Sequence, residues 1–92
     1  MKHTIWVKYK GGISRFINKD EEAFTHETEL SLHSLIDKIF DRHQSLSDSG
    51  SPVSKQSMLV TINEKFIPQI EYEAATLKSG DVVTLFPTVS GG

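Results

Sequence analysis

Ser31-Leu32-His33-Ser34-Leu35-Ile36-Asp37-Lys38-Ile39-Phe40-Asp41 repeats its apolar side chains with a helical period. Leu32, Leu35, Ile36, Ile39 and Phe40 fall at i, i+3, i+4, i+7 and i+8, which makes one stripe along one face. Asp37, Lys38 and Asp41 take the opposite face. The Ser31 hydroxyl can accept from first-turn N–H groups that lack an intrahelical partner, so Ser31 reads as the N-cap. A helix that is apolar on one side only packs by that face, most simply against a sheet.

Strand patterns flank it on both sides. Thr4-Ile5-Trp6-Val7-Lys8-Tyr9 is rich in β-branched and aromatic residues, with Ile5, Val7 and Tyr9 on one face and Trp6 on the other. Gly11-Gly12 marks a turn where positive φ costs little. Ile13 to Ile17, then Ala23 to Glu27, are expected to supply a second, antiparallel strand, with polar Asn18 to Glu22 looping between them. Beyond the helix, Ser45 to Pro52 is serine-rich with few groups to bury, and residues 45–57 are expected to form a flexible loop. Met58 to Ile62 reads as a strand with Met58, Val60 and Ile62 inward. Asn63-Glu64-Lys65 turns the chain into a short strand at Phe66-Ile67, which Pro68 confines to an edge. Leu77-Lys78-Ser79-Gly80-Asp81 is a second turn, and Val82 to Phe86 is the last strand, stopped by Pro87. Residues 88–92 are expected to project as a tail.

The order β-β-α-β-(β)-β, with one main helix between the second and third strands, predicts an α+β, β-grasp fold. A mixed sheet of four to five strands clasps that helix, in a single domain over residues 1–92. A ferredoxin-like fold would need a second amphipathic helix, and Glu71 to Lys78 is too short for it. Ile5, Val7, Leu32, Leu35, Ile36, Ile39, Val60, Ile62, Val83 and Leu85 form the expected core.

Composition removes several function classes. A chain of 92 residues buries only roughly 60–65% of its unfolded surface, which leaves little room for a deep catalytic pocket. The net charge of −2 comes from mixed-sign residues, without the basic stripe of a nucleic-acid binder. The apolar run Ile5 to Val7 is too short for a signal peptide or a membrane span, and neither end carries a lipidation motif. Cytoplasm is the default compartment. With no cysteine, disulfides, thiolate metal sites and a cysteine nucleophile are excluded. His3, His26, His33 and His43 lack metal-ligand spacing and are expected to be solvated. Asp20, Glu21 and Glu22 read as a solvated turn. Ser31 and Ser34 do not form a serine-nucleophile arrangement with His33, and there is no glycine-rich phosphate loop.

Gly91-Gly92 at the C-terminus arises by chance in roughly 0.5% of chains at average glycine usage. Its position, five residues beyond a strand stopped by proline, points to chemistry at the terminus. A carboxylate becomes an electrophile only when adenylated, and a chain threading a narrow site on another enzyme has no room for Cβ atoms. The activated carbonyl can then accept sulfur or an amine.

From Thr61-Ile62-Asn63, through Leu77-Lys78-Ser79-Gly80-Asp81-Val82-Val83, to Phe86-Pro87-Thr88-Val89-Ser90-Gly91-Gly92, the chain resembles the MoaD/ThiS sulfur-carrier family. That family is part of the ubiquitin-like superfamily. Its pattern is a V-N turn, L-x-x-G-D-x-V, and F-P-P-V-x-G-G, with looser agreement elsewhere. Thr88 stands at the usual second proline, and the loop from Ser47 to Ser57 is longer than usual. The aromatic-proline ending favours the molybdopterin synthase small subunit over thiamine-type carriers.

The resemblance implies a non-catalytic carrier with no cofactor or metal of its own. A ubiquitin-activating-type enzyme would spend ATP to adenylate Gly92, and a sulfurtransferase would convert it to a thiocarboxylate. Gly91, Ser90 and Val89 would thread into the partner, the molybdopterin synthase large subunit. Carriage for thiamine, cysteine or tRNA thiolation, or a role as a ubiquitin-like protein modifier or plain interaction module, are the alternatives. Phe86 and Thr84 are expected to face outward beside the tail with Pro87 as docking residues; the competing reading has Phe86 as an isolated surface aromatic covered by the serine-rich loop. Trp6 either joins that patch or lies under the loop.

Overall fold

The computed structural model describes residues 2–88. Strand β1 (His3–Tyr9) leads to a short helix α1 (Gly12–Ile17), then β2 (Glu21–His26), β3 (Leu30–Ser31) and the main helix α2 (Leu32–Arg42). A 3-10 turn at Gln44–Ser47 precedes β4 (Met58–Ile62) and β5 (Lys65–Phe66). A second such turn at Gln69–Glu71 precedes β6 (Thr76–Leu77) and β7 (Val82–Pro87). Five strands form one sheet in the order β2-β1-β7-β4-β5, and β3 pairs with β6 apart from it. β1 and β7 run parallel at the centre, while the other pairs are antiparallel. This is the β-grasp arrangement expected.

Helix α2 follows its sequence pattern. The Ser31 hydroxyl accepts from the Ser34 amide at 3.1 Å, and all five stripe residues are buried. They meet Ile5, Val7, Val60, Val83 and Leu85 from the sheet, with Ile62 half-buried at the margin.

Ile13 to Ile17 is helix, not strand. Gly11 takes φ 58°, ending β1, and the Ser14 hydroxyl donates to the Gly11 carbonyl at 3.1 Å. Ile13 and Ile17, one helical turn apart, both reach the core. The second strand then starts at Glu21 and ends at His26, so Glu21 and Glu22 belong to the sheet. The serine-rich segment also buries more than its composition announces. Leu46 and Val53 are both core residues. The edge strand sits one residue earlier than expected, at Lys65–Phe66, because Asn63 and Glu64 both adopt positive φ, which suits a tight hairpin turn.

Glu22 is the largest departure from the sequence reading. Its position on β2 turns the carboxylate inward, where it accepts from the Tyr9 hydroxyl at 2.8 Å and from Arg42 Nη1 at 2.8 Å. His43 Nε2 completes the cluster, so the half-buried His43 is a structural partner and not a solvated side chain. The Arg42 guanidinium also lies 4.0 Å above the Phe24 ring. Burial raises the Glu22 pKa, but the bonds from Arg42, His43 and Tyr9 outweigh it and hold the group below the ordinary glutamate range. Burial and the adjacent carboxylate push the Tyr9 phenol upward.

A depressed folded-state pKa stabilises the fold above the unfolded value, about 4.3. That contribution is lost as pH falls through the folded value. Glu22→Gln is expected to cost about 1–3 kcal/mol at neutral pH, with the gap to wild type closing on acidification. Urea unfolding at several pH values checks this. A gap that stays constant with pH contradicts it.

Candidate functional site

Helix α2 covers one face of the sheet and leaves the other open. On the open face the register sets Phe86 beside Leu59 and Thr84 between Thr61 and Lys8, with Val82 beside Trp6. Phe66 joins the same face through its pairing with Thr61. Trp6, Leu59 and Phe66 are exposed, so the surface carries a broken apolar band. A shallow groove of about 550 Å³ crosses its middle, lined by Lys8, Lys10, Thr61, Asn63, Glu64, Val82, Thr84 and Phe86.

Three local devices fix the strand that delivers the tail. Asn63, with φ 50°, donates from its side chain to Asp81 at 3.0 Å and accepts from the Val82 amide at 2.9 Å. Asp81 in turn accepts from the Lys78 amide at 2.7 Å, and Gly80 supplies φ 93°. The asparagine after β4 and the Gly-Asp turn before β7 are thus one hydrogen-bonded latch that sets the register of the last strand. At the other end of β7, Pro87 lies against Gly11, where a Cβ would come within 3.1 Å of the proline ring. The positive φ favours glycine there, and the close approach of the proline ring leaves little room for a side chain. Beyond it, the Thr88 and Ser57 hydroxyls share a hydrogen bond at 3.0 Å.

The expected docking residues are therefore only partly together. Phe86, Thr84 and Trp6 share the open face, but Thr84 is buried among its neighbours and Phe86 is half-buried. Trp6 is exposed and not covered by the serine-rich segment. Pro87 belongs to the opposite face and anchors the root of the tail. Leu59 and Phe66 were not anticipated, although the inward alternation of Met58 and Val60 leaves Leu59 facing outward. Val89, Ser90, Gly91 and Gly92 lie outside the described residues. Among the described residues no three His, Asp or Glu side chains group to hold a metal ion. No helix there is long and apolar enough to cross a membrane.

The ThiS family model matches residues 7–92. The chain belongs to the ThiS family. As a ThiS-family protein it keeps the strand, latch and terminal glycines on which its sequence resemblance rested. No curated protein sequence matches it significantly. Among solved structures, a candidate molybdopterin converting factor subunit 1 from Pyrococcus furiosus superposes with a TM-score of 0.74 at 24% identity, covering 95% of this chain and 99% of that one. Small archaeal modifier protein 1 from Methanosarcina acetivorans gives 0.75 at 21% identity, covering 100% and 99%. A complex of subunits 1 and 2 of molybdopterin-converting factor from Helicobacter pylori gives 0.59 at 25% identity, covering 97% and 99%. These likenesses establish the ubiquitin-like fold of this ThiS-family chain.

Proposed function

We propose that this protein is a sulfur carrier whose working group is the Gly92 carboxylate, most directly in molybdopterin assembly. The observation that carries the reading is the family match, which runs through Gly91-Gly92, beyond a last strand, Val82–Pro87, that is held at both ends. An adenylating enzyme of the ubiquitin-activating type joins the carboxylate to the AMP moiety of ATP and releases pyrophosphate. Persulfide sulfur from a sulfurtransferase then displaces AMP at the carbonyl, and a thiol reductant frees the donor, leaving a thiocarboxylate. Val89 and Ser90 carry Gly91-Gly92 into the partner site, where the terminal sulfur is given up and the carboxylate returns.

The chain supplies an electrophile and a docking face, while catalysis belongs to the partners. We propose the cytoplasm as the compartment of this ATP-consuming cycle. The molybdopterin assignment draws on the likeness to subunit 1 chains, one of them seen with its subunit 2. ATP–pyrophosphate exchange by the cognate adenylating enzyme tests the first step. Exchange should require this chain, and exchange equal with and without it contradicts the reading.

Docking places the open face against the adenylating enzyme or the synthase large subunit, with Phe86 nearest the tail. Truncating an interface anchor typically costs on the order of 2 kcal/mol of binding. Phe86→Ala should keep its fold, by circular dichroism, and bind both partners more weakly in calorimetry. Unchanged affinity for both would remove Phe86 from the interface.

A further inference from the structure

Spacing along the chain gives no hint that His3 and His26 meet. The register sets them directly opposite one another, as the terminal pair of the β1–β2 ladder. The next core-facing pair along that ladder is Ile5 with Phe24, both buried. Alternation therefore puts both imidazoles on the side of the sheet that α2 covers, and neither residue is exposed. Opposed residues on one face have Cβ atoms about 5 Å apart.

Each ring holds a nitrogen that is buried and bonds to nothing among the described residues, Nδ1 of His3 and Nε2 of His26. A buried polar atom without a partner costs stability. Two of them on facing residues are best explained by one group that takes both. Burial, then the charges of Lys38, Arg42 and His3, lower the pKa of His26, which favours the neutral ring that offers a lone pair. His26 also lines a groove of about 340 Å³ with Phe24, Thr25, Lys38, Asp41 and Arg42, so small ions reach it from solvent. Arg42 is paired with Glu22, and Lys38 and Asp41 are of opposite sign.

We infer that His3 and His26 together bind a divalent ion of the zinc class, with waters completing its coordination. Imidazole nitrogen suits zinc, copper and nickel, whereas magnesium and calcium take oxygen ligands. Two neutral rings each give a lone pair and the ion gives up two waters, so no proton has to leave. Zn–N bonds of about 2.0–2.1 Å let one ion join rings that start from facing residues. Among the described residues no third His, Asp or Glu completes the group, so binding is reversible. The ion would fasten the start of β1 to the edge strand β2. There the Thr4 carbonyl accepts from the Gly80 amide at 2.8 Å, so the turn before β7 is steadied with it. The tail leaves from the other end of β7, and the inference stands apart from its chemistry.

The test uses the full-length, nitrogen-15-labelled protein, titrated with zinc chloride at neutral pH in a buffer that does not chelate. Histidine ring resonances should shift at His3 and His26 and stay in place at His33 and His43. Zinc should also raise the melting midpoint. His3→Gln and His26→Gln should each weaken binding about ten-fold or more in calorimetry, with metal-free melting midpoints near that of wild type. Lys38→Gln, which removes a neighbouring cation, should tighten binding about two-fold. Absence of ring shifts at His3 and His26 with millimolar zinc would overturn the inference, and that readout needs no variant to fold. Zinc held instead at His33 and Asp37, which lie 3.6 Å apart, would overturn it as well. So would equal shifts with magnesium, or binding that survives loss of both His3 and His26.

Discussion

Leu35→Ala should lower the unfolding free energy by about 2–5 kcal/mol, through lost burial and the cavity left behind. Leu35 has no exposed surface and lies in the middle of the α2 stripe, in the core formed with the sheet. A domain of this size has about 5–15 kcal/mol in total, so the loss is a large share. Ile36→Ala, one position along the same face, should behave alike. Urea unfolding at neutral pH gives the measurement. Midpoints near wild type for both variants would mean that α2 does not pack by this face.

The α2 stripe was legible because five apolar positions over nine residues fit one period and no other. β1, β4 and β7 were legible from alternation, and the Gly80-Asp81 turn from its glycine. Helix α1 was misread because Ile13, Arg15 and Ile17 satisfy a strand spacing as well as Ile13 and Ile17 satisfy a helical one. Six residues are too few to separate the two periods. β3 and β6, at two residues each, fall below any pattern. Glu22 could not be read locally at all. Its donors lie 13, 20 and 21 residues away in sequence, so the tertiary fold alone turns an apparent loop acid into a core residue. Serine content likewise hid Leu46 and Val53, whose burial depends on neighbours remote in the chain.

Deleting Gly92, or adding one residue after it, should reduce sulfur loading to background while leaving the melting midpoint unchanged. One extended residue spans about 3.5 Å. A misplacement of 1 Å at a reacting centre costs on the order of 10²-fold in rate. The reacting carbonyl would therefore miss the adenylating centre, whereas the buried core ends at Leu85. Pyrophosphate-release and sulfur-loading assays with the adenylating enzyme and sulfur donor, run beside thermal melts, separate the two effects. Loading that survives either change would show that the enzyme does not read the end of this tail.

The open face was visible in part. Alternation put Trp6, Thr84 and Phe86 opposite the core, and the register confirms that they share one surface. Alternation could not show that rows on either side cover Thr84. Nor could it show that Pro87 turns inward onto Gly11, because that contact joins residues from opposite ends of the chain.

Thiocarboxylate at Gly92 is the most direct test of the account. The protein is incubated with its adenylating enzyme, ATP, magnesium and a sulfur donor, then treated with a thiocarboxylate-selective electrophile. The C-terminal peptide is sequenced by mass spectrometry. Intact mass alone is not decisive, because replacing one oxygen by sulfur adds almost the same increment as oxidising Met1 or Met58. The account predicts label on Gly92 and nowhere else, since no cysteine is present to hold a persulfide. A chain that stays unlabelled with every cognate adenylating enzyme, or that appears only as amide conjugates on other proteins, contradicts it.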